Sequence, residues 1–73
     1  MPIVNAYVWQ GWGKDNAKTL IGGITQVFVD MGVPPYAVEV LVHEVEKTHW
    51  GIQGGPASER QELKDWQVGG TKL

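Results

Sequence analysis

The second residue of this 73-residue chain carries its most unusual chemistry. Met1-Pro2-Ile3-Val4-Asn5-Ala6-Tyr7-Val8-Trp9 reads as a strand that begins at once, and proline is tolerated at the first position of a strand because no ladder donor is required there. Loss of Met1 turns Pro2 into a free secondary amine at the end of a rigid strand. An α-amino group titrates around ~7.7–8.0, against about 10.4 for lysine, so a small environmental shift makes Pro2 a base at neutral pH. If Met1 is retained, the same nitrogen is an amide and has no basicity. Trp12, between Gly11 and Gly13, is a large aromatic in a connecting loop; it either caps a pocket or inserts into a neighbouring subunit. His43 and His49 are potential proton donors, but they are not paired in any ligand spacing, which argues against a structural zinc. The absence of cysteine excludes thiolate chemistry and a disulfide framework.

An amine at a strand end is a useful base only if the rest of the chain holds it. Residues 1–73 make one domain, the only sensible count at this length. Hydrophobic residues are 42% and charged residues 19%, a globular balance. A chain this short buries roughly 60% of its unfolded surface and is marginal alone. With no disulfide and no metal, oligomerisation is the remaining way to add buried area. A net charge of −2 without a basic cluster argues against nucleic acid as a partner. No apolar run approaches the ~20 residues of a membrane span and no signal peptide is visible. The expectation is a soluble cytoplasmic protein with no membrane partner.

The first strand is expected over about Pro2 to Trp9, with Val4, Ala6 and Val8 on a helix-covered face and Ile3, Asn5, Tyr7 and Trp9 on the other. The mixed aromatic set suits ordinary packing, a subunit contact or a pocket wall. Gln10-Gly11-Trp12-Gly13 is a connection. A helix follows from about Lys14 to Met31, with Ala17, Leu20, Ile21, Ile24, Val27, Phe28 and Met31 at helical spacing on one face. Gly22 and Gly23 sit in its middle, each costing about 1 kcal/mol against alanine, as the close approach of another backbone would require. Gly32 stops the helix, and Pro34-Pro35 prevents its continuation. The second strand runs from about Ala37 to Glu46, its apolar centre suggesting burial on both faces. Strand, helix and strand make a β-α-β unit with parallel strands and a right-handed crossover. Two strands and one helix leave a sheet face uncovered, and a two-stranded sheet is not independently stable. The consequence is assembly, with faces and edges buried between subunits. Trp50 and Ile52 alternate with small residues, which predicts a short hairpin. Ser58-Glu59-Arg60-Gln61 has capping-box spacing, which predicts a short helix from about Glu59 to Trp66. Residues from about 61 to 73 form a C-terminal extension with a frayed tail.

Over roughly residues 2 to 60 the chain resembles the 4-oxalocrotonate tautomerase family of the tautomerase superfamily, as a divergent member. The resemblance rests on Met-Pro-Ile-Val at the start, Lys18-Thr19-Leu20-Ile21 in the helix, the second strand ending in Glu44, and above all His49-Trp50-Gly51-Ile52-Gln53-Gly54-Gly55-Pro56-Ala57-Ser58. It implies an α/β fold, a β-α-β subunit assembled as a homohexamer, a trimer of dimers. It implies an isomerase that interconverts enol and keto forms of a small molecule without metal or cofactor. Pro2, freed of Met1, would be the general base. A proton shuttle works best with a pKa near the operating pH, and an apolar pocket lowers that of an ammonium. Trp50 falls where the family places an aromatic residue in the pocket wall; packing at a subunit contact is the alternative.

Two departures alter what the resemblance implies. The family's substrate-binding arginines fall at Trp12 and at Glu39, the second placement assuming one residue deleted near Gly32 to Pro35. Arginine grips a carboxylate bidentately; tryptophan and glutamate cannot. The expected substrate is therefore not the usual dicarboxylate but a monocarboxylate, an aromatic enol such as phenylpyruvate, or a neutral ketone. Lys14, Lys47 and Arg60 are the candidate replacement cations, with a solvated surface role as the alternative for each. Glu39 beside Pro2 would stabilise the ammonium and oppose the apolar effect. Superfamily relatives that add water use an acidic residue to activate it, so a hydratase or decarboxylase using Glu39 is one alternative. A non-catalytic oligomeric binding protein on the same fold is another, motivated by the loss of both arginines and by Met1.

Overall fold

A computed structural model describes residues 1–60. Strand β1 spans Ile3–Trp9, where β-branched and aromatic residues favour a pleated surface. Helix α1 spans Gly13–Asp30, one residue earlier at each end than the periodicity indicates. It closes in a Schellman arrangement: Gly32 has φ +98°, its N–H donates to the Val29 carbonyl, and the Val33 N–H donates to the Phe28 carbonyl. This is the glycine stop expected at position 32. Strand β2 spans Glu39–Val45, shorter than the expected 37–46. Pro35 opens a 3-10 turn over Pro35–Ala37, and a second 3-10 turn over Lys47–His49 cuts off the far end.

β1 and β2 pair in parallel, with Ile3 opposite Glu39 and Trp9 opposite Val45. The ladder is extended at both ends, where the Glu39 N–H donates to the Pro2 carbonyl (2.9 Å) and the Gln10 N–H to the Val45 carbonyl (2.8 Å). A β-α-β subunit with parallel strands is thus the observed core. Val4, Ala6 and Val8 with Val40 and Val42 form the half-buried face under α1; Ile3, Asn5, Tyr7, Glu39 and Leu41 lie open on the other.

The apolar stripe of α1 is narrower than its spacing suggests. Ala17, Leu20, Ile24 and Phe28 are half-buried, whereas Ile21, Val27 and Met31 are exposed, the last two by 58% and 71%. Two strands about 4.8 Å apart cannot cover the width of a helix about 10 Å across. Among the described residues nothing outside the helix's own nearby backbone lies within 4 Å of a Cβ built on Gly22 or Gly23, so no described strand or loop approaches them.

The C-terminal hairpin pairs β3, Gly51–Ile52, with β4, Gly55–Pro56, in antiparallel fashion. Gln53 (φ 53°) and Gly54 (φ 85°) form the two-residue turn, both with the positive φ of a type I′ hairpin. Ala57 is fully buried, the only apolar side chain so enclosed among the described residues. A 3-10 turn over Ala57–Glu59 follows and Arg60 is extended, so no α-helix has begun at Glu59. The rest of the helix expected to Trp66, and the C-terminal extension, lie outside the described residues. No helix among the described residues is long and apolar enough to cross a membrane.

Candidate active site

The candidate residues fall into two groups at opposite ends of β1. Pro2 stands just before the strand, half-buried, its carbonyl held by the Glu39 N–H. Its nitrogen is acylated by Met1, whose own amine donates to the Ala37 carbonyl at 2.7 Å. The chain start is therefore tied to the turn that leads into β2. Glu39 begins β2 opposite Ile3, with an exposed side chain. Proline and glutamate are thus neighbours through the first rungs of the parallel ladder.

The other end of β1 carries an aromatic cleft of about 230 Å³, lined by Tyr7, Val8, Trp9, Trp12 and Trp50. The Trp9 and Trp50 rings meet edge to face at 5.9 Å and 77°, a favoured arrangement for aromatic pairs. Trp50 is fixed through its backbone: its N–H donates to the Lys47 carbonyl, and its carbonyl accepts from Ala57 N–H at 2.8 Å. Lys47 Nζ lies 4.9 Å from the centre of the Trp9 ring, within cation–π range. Trp12 enters from the loop between β1 and α1, so the cleft is built by strand end, loop and hairpin together.

Pro2 precedes the seven-residue strand that Trp9 ends, which sets these two residues roughly 23 Å apart at the rise of a β-strand. One subunit therefore brings Trp12 and Trp50 together, and Glu39 to Pro2, but not the pairs to each other. Of the three candidate cations, Lys47 stands beside the cleft. Lys14 is exposed at the start of α1, and Arg60 Nη1 donates to Gln53 Oε1 at 2.6 Å, tying the hairpin tip. His49 ends the 3-10 turn before Trp50, exposed. His43 is half-buried on the open sheet face, stacked on Tyr7 at 4.6 Å, with Nε2 donating to Asn5 Oδ1 at 3.0 Å.

Two contributors escape a reading of the sequence by type alone. Val8, assigned to the helix-covered face, also reaches the cleft because the cleft wraps the end of the strand. Glu44 accepts the N–H groups of Gly11 and Gly13 at 2.9 and 3.2 Å, holding the loop that bears Trp12. Glu44 alternates with Val40 and Val42 in sequence but is exposed, so burial gives no sequence-level reason to expect these donors.

Known proteins offer an independent comparison. The family described as Tautomerase enzyme matches residues 2–60. The chain is 39% identical over 64 residues to a probable tautomerase K2 of Dickeya dadantii (strain 3937), covering 85% of this chain and 96% of that protein. It is 35% identical over 60 residues to a 2-hydroxymuconate tautomerase of Comamonas testosteroni, covering 81% and 95% respectively. Among solved structures, a 4-oxalocrotonate tautomerase isozyme from Methylibium petroleiphilum superposes with a TM-score of 0.74 at 31% identity, over 78% of this chain and 94% of that one.

Proposed function

The chain belongs to the tautomerase family, and from that premise we propose that it is an enol–keto isomerase whose general base is the amine of Pro2, freed by loss of Met1. The observation that carries this reading is a proline at the first matched position, with its carbonyl fixed by the Glu39 N–H. A base on a fixed backbone loses less orientational freedom when a substrate binds. The free nitrogen takes the hydroxyl proton of an enol, the electron pair closes the carbonyl, and the ammonium returns the proton to the terminal carbon of the conjugated system. Atoms and charge balance without an added group, and the step is an isomerisation.

The rest of the site is supplied by assembly. Ile3, Tyr7 and Leu41 are 54%, 60% and 43% exposed on the open sheet face, and both edges of the β1–β2 sheet are unpaired among the described residues. A homo-oligomer, with a hexamer built as a trimer of dimers as its specific form, covers that face. It sets Pro2 and Glu39 of one subunit against Trp12 and Trp50 of another. Substrate choice follows from the side chains. Indoles present flat apolar surface, Glu39 beside the base repels a second carboxylate, and Lys47 at the cleft edge offers one cation. The substrate class is therefore a conjugated or aromatic enol of a 2-keto acid with a single carboxylate, rather than a dicarboxylate.

Ketonisation of phenylenolpyruvate and of 2-hydroxymuconate, followed by ultraviolet absorbance on protein of known intact mass, tests this. Protein lacking Met1 is expected to be active, and Pro2→Ala to lose about 10²-fold or more in kcat/KM. Equal rates in the two proteins would overturn the assignment.

A further inference from the structure

The loop that carries Trp12 is held in an unusual way. Gly11 has φ +104° and Gly13 φ +82°, and between them Trp12 is right-handed helical at φ −63°, ψ −42°. A left-handed residue followed by a right-handed one turns successive N–H groups toward a common point and makes an anion-binding concavity. Trp12 is also the N-cap of α1, and its side chain makes no capping hydrogen bond. The acceptor comes instead from β2: Glu44 places Oε1 2.9 Å from the Gly11 nitrogen and Oε2 3.2 Å from the Gly13 nitrogen. Both oxygens are used, one on each side of Trp12. The carboxylate also faces the positive end of the helix dipole. From the other direction, Asn16 Nδ2 donates to the Trp12 carbonyl at 2.7 Å. The Trp12 backbone is thus clamped before, after and at its own carbonyl, while its indole lines the cleft with Trp9 and Trp50.

We infer that Glu44 is a positioning residue: its carboxylate, bridging the N–H groups of Gly11 and Gly13, sets where the Trp12 indole stands in the aromatic cleft. This rests on the tautomerase reading only for what the cleft is used for. Glu44 touches no substrate in this scheme. It acts through Trp12, so its effect belongs in KM and in discrimination between aromatic and non-aromatic enols. A residue that merely capped α1 would change melting and nothing specific to Trp12.

The test uses the whole protein labelled with 5-fluorotryptophan, its fluorine resonances assigned through single Trp→Phe variants. Glu44→Gln keeps the shape but sets an amide N–H2 against one of the two donors. It is expected to shift and broaden the Trp12 resonance. It should lower kcat/KM for an aromatic enol about tenfold, the weight of a charge-assisted hydrogen bond, mostly through KM. In a Trp12→Ala background the same substitution should cost less than about twofold, because coupled residues are not additive. An unmoved Trp12 resonance, or an equal loss in both backgrounds, would overturn the inference. If Glu44→Gln fails to assemble, Glu44→Asp, which retains the charge but withdraws it from the loop, is read in the same two ways. If the parent protein shows no turnover, the tautomerase reading falls, and the fluorine spectrum alone decides the role of Glu44.

Discussion

At Pro2 a single processing event changes the character of one atom. With Met1 attached, the nitrogen is an amide and the Met1 amine sits on the Ala37 carbonyl; without Met1, a secondary amine stands at the head of β1. Since only the unprotonated form takes a proton, kcat/KM should rise with pH through the amine pKa and then level off. Protein retaining Met1 should show no such limb when both are assayed across the same buffers. On the proposed reading, Trp12 and Glu39, the positions at which the family resemblance places arginines, set which substrates suit that base. Trp12→Arg would restore a bidentate carboxylate grip and remove an indole from the cleft. It should move the ratio of kcat/KM for 2-hydroxymuconate over phenylenolpyruvate about tenfold toward the dicarboxylate, read by assaying both enols on the same preparation.

The elements that place these residues depend on a few backbone positions. Gly54 stands at φ 85° in the tip of the hairpin that presents Trp50, and an L residue there costs roughly 1–2 kcal/mol. Gly54→Ala should therefore lower the melting temperature by at least about 4–8 °C in calorimetry of this small domain. Its neighbour Gln53 already occupies φ 53° and is tied by Arg60, so the turn has no slack to absorb a second strained residue. Strand, helix, strand and hairpin were legible in the chain because alternation, a helical stripe and the Gly32 stop all point the same way. The ends of β2 lie two residues and one residue inside the expected 37–46, because Ala37 closes a 3-10 turn and Val38 and Glu46 are extended but outside the ladder. The α1 stripe is wider in sequence than in the fold for a different reason: periodicity reports which side chains are apolar, and the two-stranded sheet beneath decides how many it can cover. Of the candidate site, the residue types were legible at Pro2, Trp12, Glu39 and Trp50. Their division between the two ends of β1 was not, since sequence spacing carries no sense of distance along a ladder. Glu44 belongs to the family resemblance in sequence, and its bridge between the Gly11 and Gly13 N–H groups exists only in the fold.

As a whole molecule the subunit is unfinished. It measures 42 × 25 × 17 Å along its principal axes, an elongated body with a single fully enclosed apolar side chain among the described residues. Tyr7, Leu41 and Ile3 share the open face with the His43–Asn5 pair. A charge placed there is desolvated if that face meets another subunit. Leu41→Lys should accordingly lower the mass measured by light scattering to that of smaller species and remove activity with it, although Leu41 stands in β2 opposite Asn5, away from both groups of candidate residues. The spacing of Pro2 from the tryptophans along β1 has one more consequence. On the proposed assembly, a variant lacking the proline amine and one lacking the Trp50 ring carry their defects in different halves of a cleft shared between subunits. Unfolded together and refolded as a mixture, they would regenerate working centres wherever an intact proline from one parent meets an intact indole from the other, and enzymatic complementation would appear from two dead preparations.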